Sequence, residues 1–457
     1  VSTAAIFSSG GSVKADVLIT GEKIAAVLTP ELAGRIEDAE VIDARDRLIF
    51  PGFIDAHTHF DLHVAGTVTV DDFASGTRAA IAGGTTTVID FGTQYKGETL
   101  REGLENWKDK ASNGVYCDYG IHMSITDWNE EAEAQCQDMM DEGVSTFKIY
   151  MTYDTQVDDK TILEILMRLK QVGGITGCHC ENSGLIEALR DKAVREGGIK
   201  SVSAHYRTRP ALAEAEAIGR LLRLAEAASA PVIDVHLTNE EGLKEIRAAR
   251  ERGQEVYAET CPQYLLMDGS LYERDGFEGA KYVIAPPLRT KRDNEVLWRA
   301  LADGEIQTVA TDHCSFTYEQ KKLGIDDFRK IPGGMPGVET RGELMFSEGV
   351  VKGRISRERY CALLSENPAR LYGLYPDKGV IAPGSDADIV ILDPSGRRTL
   401  GIKDQVSKCD YCPFEGRKIQ GTVEQVYLRG KLAAKNGKAI EERRGKYVRR
   451  KGYAACR

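Results

Sequence analysis

The sequence predicts an α/β protein: a (β/α)8 TIM-like barrel with a small β-sandwich domain assembled from both termini. Two observations carry this prediction. Short β-branched runs alternate with helical stretches through the middle of the chain, and both flanks are β-rich with Gly-containing turns. A third narrows it: no G-x-G-x-x-G follows the first strand, which removes the dinucleotide-binding version of the alternative, an open doubly wound sheet. The division that follows places 1–50 and 375–457 in the β-sandwich and 51–374 in the barrel.

The predicted barrel strands are Leu48 to Ile54, Thr85 to Phe91, Tyr116 to Ile125, Val144 to Met151, Gly174 to Cys180, Pro231 to Thr238, Glu255 to Tyr264 and Gln307 to His313. Helical stretches lie between them at Leu100 to Ala111, Glu130 to Asp141, Lys160 to Gln171, Ser183 to Glu196, Pro210 to Ala228, Glu240 to Arg252 and Asn294 to Ala302. The clearest starts at Pro210, a residue suited to a first helical turn, and carries Ile218, Leu221, Leu222 and Ala225 on one face. Shorter alternating strands at Ala15 to Leu28, Glu40 to Asp43, Asp386 to Leu392 and Glu424 to Leu432 form the terminal unit.

Composition bounds the function. Among 457 residues, 70 acidic and 60 basic side chains give a net charge of -10, which argues against nucleic acid or an anionic membrane as partner. No run of 18 apolar residues occurs and the first residues lack a basic leader, so the expected location is the cytoplasm. The ten cysteines are expected as free thiols, and the pair Cys409 and Cys412 as incidental, because no second Cys or His pair lies nearby. The basic tail from Lys446 to Arg457 reads equally as part of an oligomer contact or as a solvated end.

The chemistry gathers at strand ends. His57 and His59 lie two residues apart, so in an extended segment both face one side and can reach one metal ion together; a hydrogen-bonded pair is the alternative. His179 and His236 close the fifth and sixth strands, and Asp312 closes the eighth. All five fall at the C-terminal face, where a parallel barrel builds its active site. Imidazole and carboxylate donors suit zinc, with manganese, iron or cobalt next. Lys148 sits in the apolar strand Val144-Ser145-Thr146-Phe147-Lys148-Ile149-Tyr150. An isolated strand lysine more often reaches solvent, but burial favours the neutral amine, which can add carbon dioxide to form an anionic carbamate.

Seven ordered motifs carry a resemblance. Pro51 to His59, Lys148 with Tyr153, His179-Cys180-Glu181-Asn182, His236-Leu237-Thr238, Glu259 to Leu265, Ala285-Pro286-Pro287-Leu288-Arg289 and Thr311-Asp312-His313-Cys314 together resemble the cyclic amidohydrolases, and within them the D-hydantoinase and dihydropyrimidinase group. The resemblance spans nearly the whole chain, including Gly384 to Val390. It implies a metal-dependent hydrolase opening cyclic amides, with Lys148 as the carbamylated lysine bridging two divalent ions, His57, His59 and Asp312 on one ion, and His179 and His236 on the other. It implies that Asp312 moves the proton, that Tyr153 donates to the oxyanion, and that the chain forms a homotetramer. A core tyrosine paired with backbone is the even alternative for Tyr153.

Two positions depart from the pattern. Where relatives commonly carry Ser and Asn to hold the substrate ring, this chain has Ala285 and Gly333, so only main-chain contacts would survive there. Dihydroorotase and allantoinase resemble this group but usually place an Arg just after H-x-H; here the loop runs Phe60-Asp61-Leu62-His63-Val64. That favours a ring with an alkyl, aryl or hydrogen substituent, such as a 5-monosubstituted hydantoin or a 5,6-dihydropyrimidine. Leu62, Val64, Tyr150 and Met151 are the expected specificity residues. Dihydropyrimidinase-like scaffolds that lack the ligands are the rival class, and all six ligands are present here.

Overall fold

A computed structural model describes residues 4–29, 32 and 39–454. Eight parallel strands run in chain order around the barrel: Phe53–Thr58, Thr85–Thr93, Asp118–Ser124, Thr146–Tyr150, Ile175–His179, Val232–Asp234, Val256–Thr260 and Thr308–Val309. The ring closes just beyond the last strand, where His59 N–H donates to the His313 carbonyl at 2.8 Å and Thr58 bridges His313 in parallel register. The expected order of strands and helices is the observed one.

Three differences have physical causes. The first predicted strand, Leu48 to Ile54, divides at Gly52: Leu48–Pro51 belongs to the terminal sheet and Phe53–Thr58 to the barrel. A Cβ at Gly52 would lie 2.1 Å from Thr86 Oγ1, so the chain passes between the two sheets where only glycine fits. The sixth and eighth strands end earlier than expected because the backbone turns left-handed at His236 (φ 47°) and Asp312 (φ 52°). The helix Phe73–Ala82 was not expected, since its run of small residues shows little apolar stripe, nor was the helical segment from Arg341 to Val351 after the eighth strand. The start of Phe73–Ala82 is nonetheless written locally: the Asp72 side chain accepts from Ser75 N–H while the Ser75 hydroxyl serves the Asp72 backbone, a reciprocal cap.

The termini join in one eight-stranded mixed sheet, in the order Lys438–Ala439, Lys431–Lys435, Lys418–Leu428, Ile389–Thr399, Leu48–Pro51, Ala4–Ser8, Gly11–Thr20 and Lys23–Leu28. Ile6, Val17, Ile24, Ile49, Ile389 and Ile391 form its core, each worth about 1.5–3 kcal/mol of apolar burial. At the junction with the barrel, the buried Lys378 ammonium meets Asp118, Asp386 and Asp388 at 2.8, 3.0 and 2.7 Å. These three carboxylates converge as metal ligands do, but a lysine already occupies their centre. Burial works against that charge, and the carboxylates outweigh it and raise the Lys378 pKa.

The basic tail is not a solvated end over its described part; 455–457 lie outside the described residues. Residues 446–454 cross the barrel floor, with Val448 N–H on the Tyr119 carbonyl at 2.8 Å and Lys451 N–H on Gly373 at 3.0 Å. Arg450 is buried, and its guanidinium donates to Thr146 Oγ1 at 2.7 Å and to the Ile121 carbonyl. Floor carbonyls thus accept a charge that the sequence alone assigns to water. Cys409 and Cys412 are free and buried. Among the described residues no helix is long and apolar enough to cross a membrane.

Candidate metal centre

Four of the six proposed ligands come from strand geometry. His57, Lys148 and His179 lie within barrel strands and His59 lies one residue past one. Lys148 pairs in register with Gly177, and Tyr150 with His179, so His179 stands two residues nearer the mouth than Lys148, on the same face of the sheet. His236 and Asp312 come instead from the left-handed residues that follow short strands. All six end at the C-terminal mouth, and all but His59 and Asp312 are almost fully buried.

The donors converge on one another. His57 Nε2 and His59 Nε2 lie 3.3 and 3.2 Å from Asp312 Oδ1, and the ligand atoms of the three residues fall within 4.8 Å of one another. The His236 ring sits 5.3 Å from His57 and 4.7 Å from His179, centroid to centroid. The Lys148 ammonium faces the rings of Phe91 and Tyr150 at 5.1 and 5.3 Å. His236 Nδ1 and His59 Nδ1 are buried without a hydrogen-bond partner among the described residues. This donor set fits a pair of divalent cations held by imidazole and oxygen ligands.

Electrostatics prepare the groups for that role. Burial lowers the pKa values of His57, His179 and His236, so each offers a neutral ring. Burial likewise lowers Lys148, toward the neutral amine that can add carbon dioxide. For Asp312, burial raises the carboxyl pKa, but His57 and His59 outweigh it and hold the group ionised.

A supporting layer escaped the sequence reading. Glu259 Oε1 lies 2.6 Å from His57 Nδ1, and Glu181 Oε2 lies 2.8 Å from His179 Nε2. Each carboxylate holds one ring nitrogen and leaves the other for a cation, the usual device for fixing a ligand's tautomer. Glu181 is in turn paired with the buried Arg209, which lowers its pKa to about 2 against the opposing effect of burial. Asp55 anchors the Asp312 turn by accepting from Thr311 Oγ1 at 2.8 Å. Glu259 and Glu181 had one available signal: each is an acid at or within two residues of a C-terminal strand end, where the ligands also stand.

The remaining predicted residues divide. Tyr153 is 40% exposed at the mouth, with its ring 5.0 Å from His179 and the Arg209 guanidinium 5.4 Å from its face. Ala285 and Gly333 meet, a Cβ on Gly333 falling 3.9 Å from Ala285 N. Leu62 is partly buried, its N–H donating to Thr69 Oγ1 at 2.9 Å, and Val64 is exposed on the short hairpin that follows. Tyr150 lies against Lys148, whereas the buried Met151 lines a separate cavity of about 1070 Å³ with Trp128, Val157 and Asn182. None of the six ligands lines that cavity.

Comparison with known proteins gives concordant matches. The model of the amidohydrolase family matches residues 48–433. The chain is 42% identical to a D-hydantoinase of Geobacillus stearothermophilus, over 97% of this chain and 94% of that protein. It is 40% identical to a D-phenylhydantoinase of Escherichia coli O127:H6, over 98% and 97%. Among solved structures, the dihydropyrimidinase of Brevibacillus agri NCHU1002 superposes with a TM-score of 0.97 at 41% identity, covering 99% of both chains.

Proposed function

The chain belongs to the amidohydrolase family, and from that premise we propose that it hydrolyses the ring amide of 5-monosubstituted hydantoins or 5,6-dihydropyrimidines to N-carbamoyl amino acids. The observation that carries the proposal is the convergence of His57, His59 and Asp312 within 4.8 Å, beside His179, His236 and Lys148, at the barrel mouth. In this reading His57, His59 and Asp312 would hold one divalent cation, His179 and His236 would hold a second, and Lys148, as N6-carboxylysine, would supply an anionic ligand to both. That modification joins the amine nitrogen to the carbon of carbon dioxide and releases one proton. Zinc is the proposed metal, with manganese or cobalt as alternatives. Bound cations would supply Lewis acidity toward the ring carbonyl and acidify an attacking water.

The protein's own groups then have defined tasks. Asp312, kept ionised by His57 and His59, accepts the proton of the attacking water as the new C–O bond forms. It returns that proton to the ring nitrogen as the C–N bond breaks. Tyr153, at the open side of the site, donates its hydroxyl hydrogen to the carbonyl oxygen as negative charge develops. Main-chain groups at Ala285 and Gly333 hold the ring, because neither side chain carries a polar atom. The same proposal includes a cytoplasmic homotetramer and the division of 1–50 and 375–457 from 51–374.

A substrate panel on metal-loaded protein tests it. Turnover of phenylhydantoin or dihydrouracil, with none of allantoin or dihydroorotate, is the expected result. Turnover of allantoin or dihydroorotate alone would assign the chain to the neighbouring cyclic amidohydrolases. No turnover together with no stoichiometric metal would mark a non-enzymatic scaffold.

A further inference from the structure

Lys321 ends the short helix Tyr318–Lys321 and is fully buried, yet no carboxylate pairs with it among the described residues. Its amine nitrogen lies against three main-chain carbonyls, Val283 at 2.9 Å, Pro332 at 2.6 Å and Gly334 at 2.7 Å; burial lowers its pKa to about 7, and three acceptors around one nitrogen favour the ammonium form. Those three bonds use every donor that an ammonium has. Lys378 makes the contrast: its partners are three carboxylates, which a buried cation normally requires. Where only carbonyls surround a cation, the carbonyls must be held in a cage, and the cation in turn holds them together.

The cage spans two loops that meet at the proposed ring site. Val283 precedes Ala285 by two residues, and Pro332 and Gly334 flank Gly333. Gly334 N–H also donates to the Val283 carbonyl at 2.9 Å, so that one oxygen serves both the backbone and Lys321. Behind them, Cys314 N–H donates to the Met335 carbonyl at 3.1 Å, which ties the second loop to the segment just after Asp312. The two segments pass close together: a Cβ at Gly334 would lie 2.2 Å from the Cys314 carbonyl.

We infer that Lys321 is a positioning residue for substrate: its ammonium clamps the Ala285 loop to the Gly333 loop and so sets the main-chain wall against which the ring lies. This rests on the proposed placement of the ring at Ala285 and Gly333. The departures from Ser and Asn at those positions give the clamp its weight. With no polar side chain to reach the ring, recognition depends on where the backbone atoms stand, and a displacement of a fraction of an ångström weakens every such contact.

The test separates positioning from folding and from metal binding. Lys321→Met should raise KM for phenylhydantoin or dihydrouracil about tenfold while kcat falls by less than about threefold and metal content stays at the wild-type level. Lys321→Gln, which keeps two N–H donors, should give an intermediate KM. Wild-type KM in both variants, or kcat and metal content falling together, would overturn the inference. Should neither variant fold, amide hydrogen exchange in the wild-type protein decides: the hydrogen-bonded amides of Val283 and Gly334, one in each loop, should exchange in one cooperative step, and independent exchange of the two would overturn the clamp. If the wild-type protein turns over no member of the panel, the proposed function fails by itself, and the exchange measurement still tests the clamp.

Discussion

Replacing Glu259 by Gln isolates one contact at the centre of the site. Glu259 and His57 are both buried and meet at 2.6 Å, Oε1 to Nδ1. Burial pushes the Glu259 carboxyl up to about 8, with Lys148 pulling the other way, while burial holds His57 well below the usual imidazole range. Below about pH 8 the metal-free pair therefore keeps its proton on Glu259, and the His57 N–H lies on Nε2, 3.3 Å from Asp312 Oδ1. A cation on that side needs the Nε2 lone pair, so the ring hydrogen moves to Nδ1 and the Glu259 proton must leave. The folded pKa is raised, so the proton has to be displaced at every pH below about 8 and has already gone above it.

The size of the effect follows. The Glu259 proton contributes about tenfold in apparent affinity per pH unit up to about pH 8, on top of the proton released by carbamate formation at Lys148, which wild type and variant share. Glu259→Gln has no proton to lose, so its pH slope should be smaller by about one proton. Above pH 8, a neutral hydrogen bond replaces a charge-assisted one, a loss of about 1.5 kcal/mol or tenfold in affinity. The assay is competition between metal-free protein and a coloured chelator at a series of pH values. A variant with the wild-type slope would refute the reasoning, because the displaced proton would then come from elsewhere.

Lys148→Ala should abolish turnover and lower metal content, with a short carboxylic acid plus added metal restoring part of the rate; full activity in the variant would show that no carbamate is needed. Leu62→Ala should change the phenylhydantoin to dihydrouracil ratio of kcat/KM by about 1–3 kcal/mol in transition-state binding, and an unchanged ratio would place Leu62 outside the pocket. Lys378→Met leaves the buried Asp388 without its cation, while Asp118 and Asp386 keep Arg429 and Lys23, and should cost about 3–5 kcal/mol in denaturant unfolding; a cost below about 1 kcal/mol would mean that water reaches the junction.

The barrel was legible because its strands are short β-branched runs punctuated by Gly or Asp, as Thr85–Thr93 is, alternating with helical stretches, and the structure buries that strand along its whole length. His57 and His59 were legible as a pair because they lie two residues apart at a strand end. What the sequence concealed were pairings across the chain. Nothing local to Glu259 shows that it faces His57, since 202 residues separate them. Nothing local to Arg450 shows that the barrel floor offers it Thr146 and Ile121. Charge predicts exposure only until distant backbone supplies acceptors, and the packing of the tail was hidden on that account. The break at Gly52 was hidden in the same way, because the atom that forbids a side chain there belongs to Thr86.

Backbone strain explains why the two halves of the site differ. A strand delivers side chains alternately to opposite faces, so a straight strand can aim His57 and His179 at the barrel mouth only in fixed register with its neighbours. Tyr153, His236 and Asp312 reach the same mouth from residues with φ of 70°, 47° and 52°. Each such conformation costs a non-glycine residue of order 1–3 kcal/mol and persists only where the surroundings hold it. At Asp312 the hold is visible: Thr311 is fastened to Asp55 on one side, and His313 is bonded through its backbone to His57 and His59 on the other. Glycine would relieve the strain at any of the three, and would also delete the ring or carboxylate that the turn exists to aim. The strain is therefore tied to the side chain it carries, and these turns belong to the chemistry as much as the ligands do.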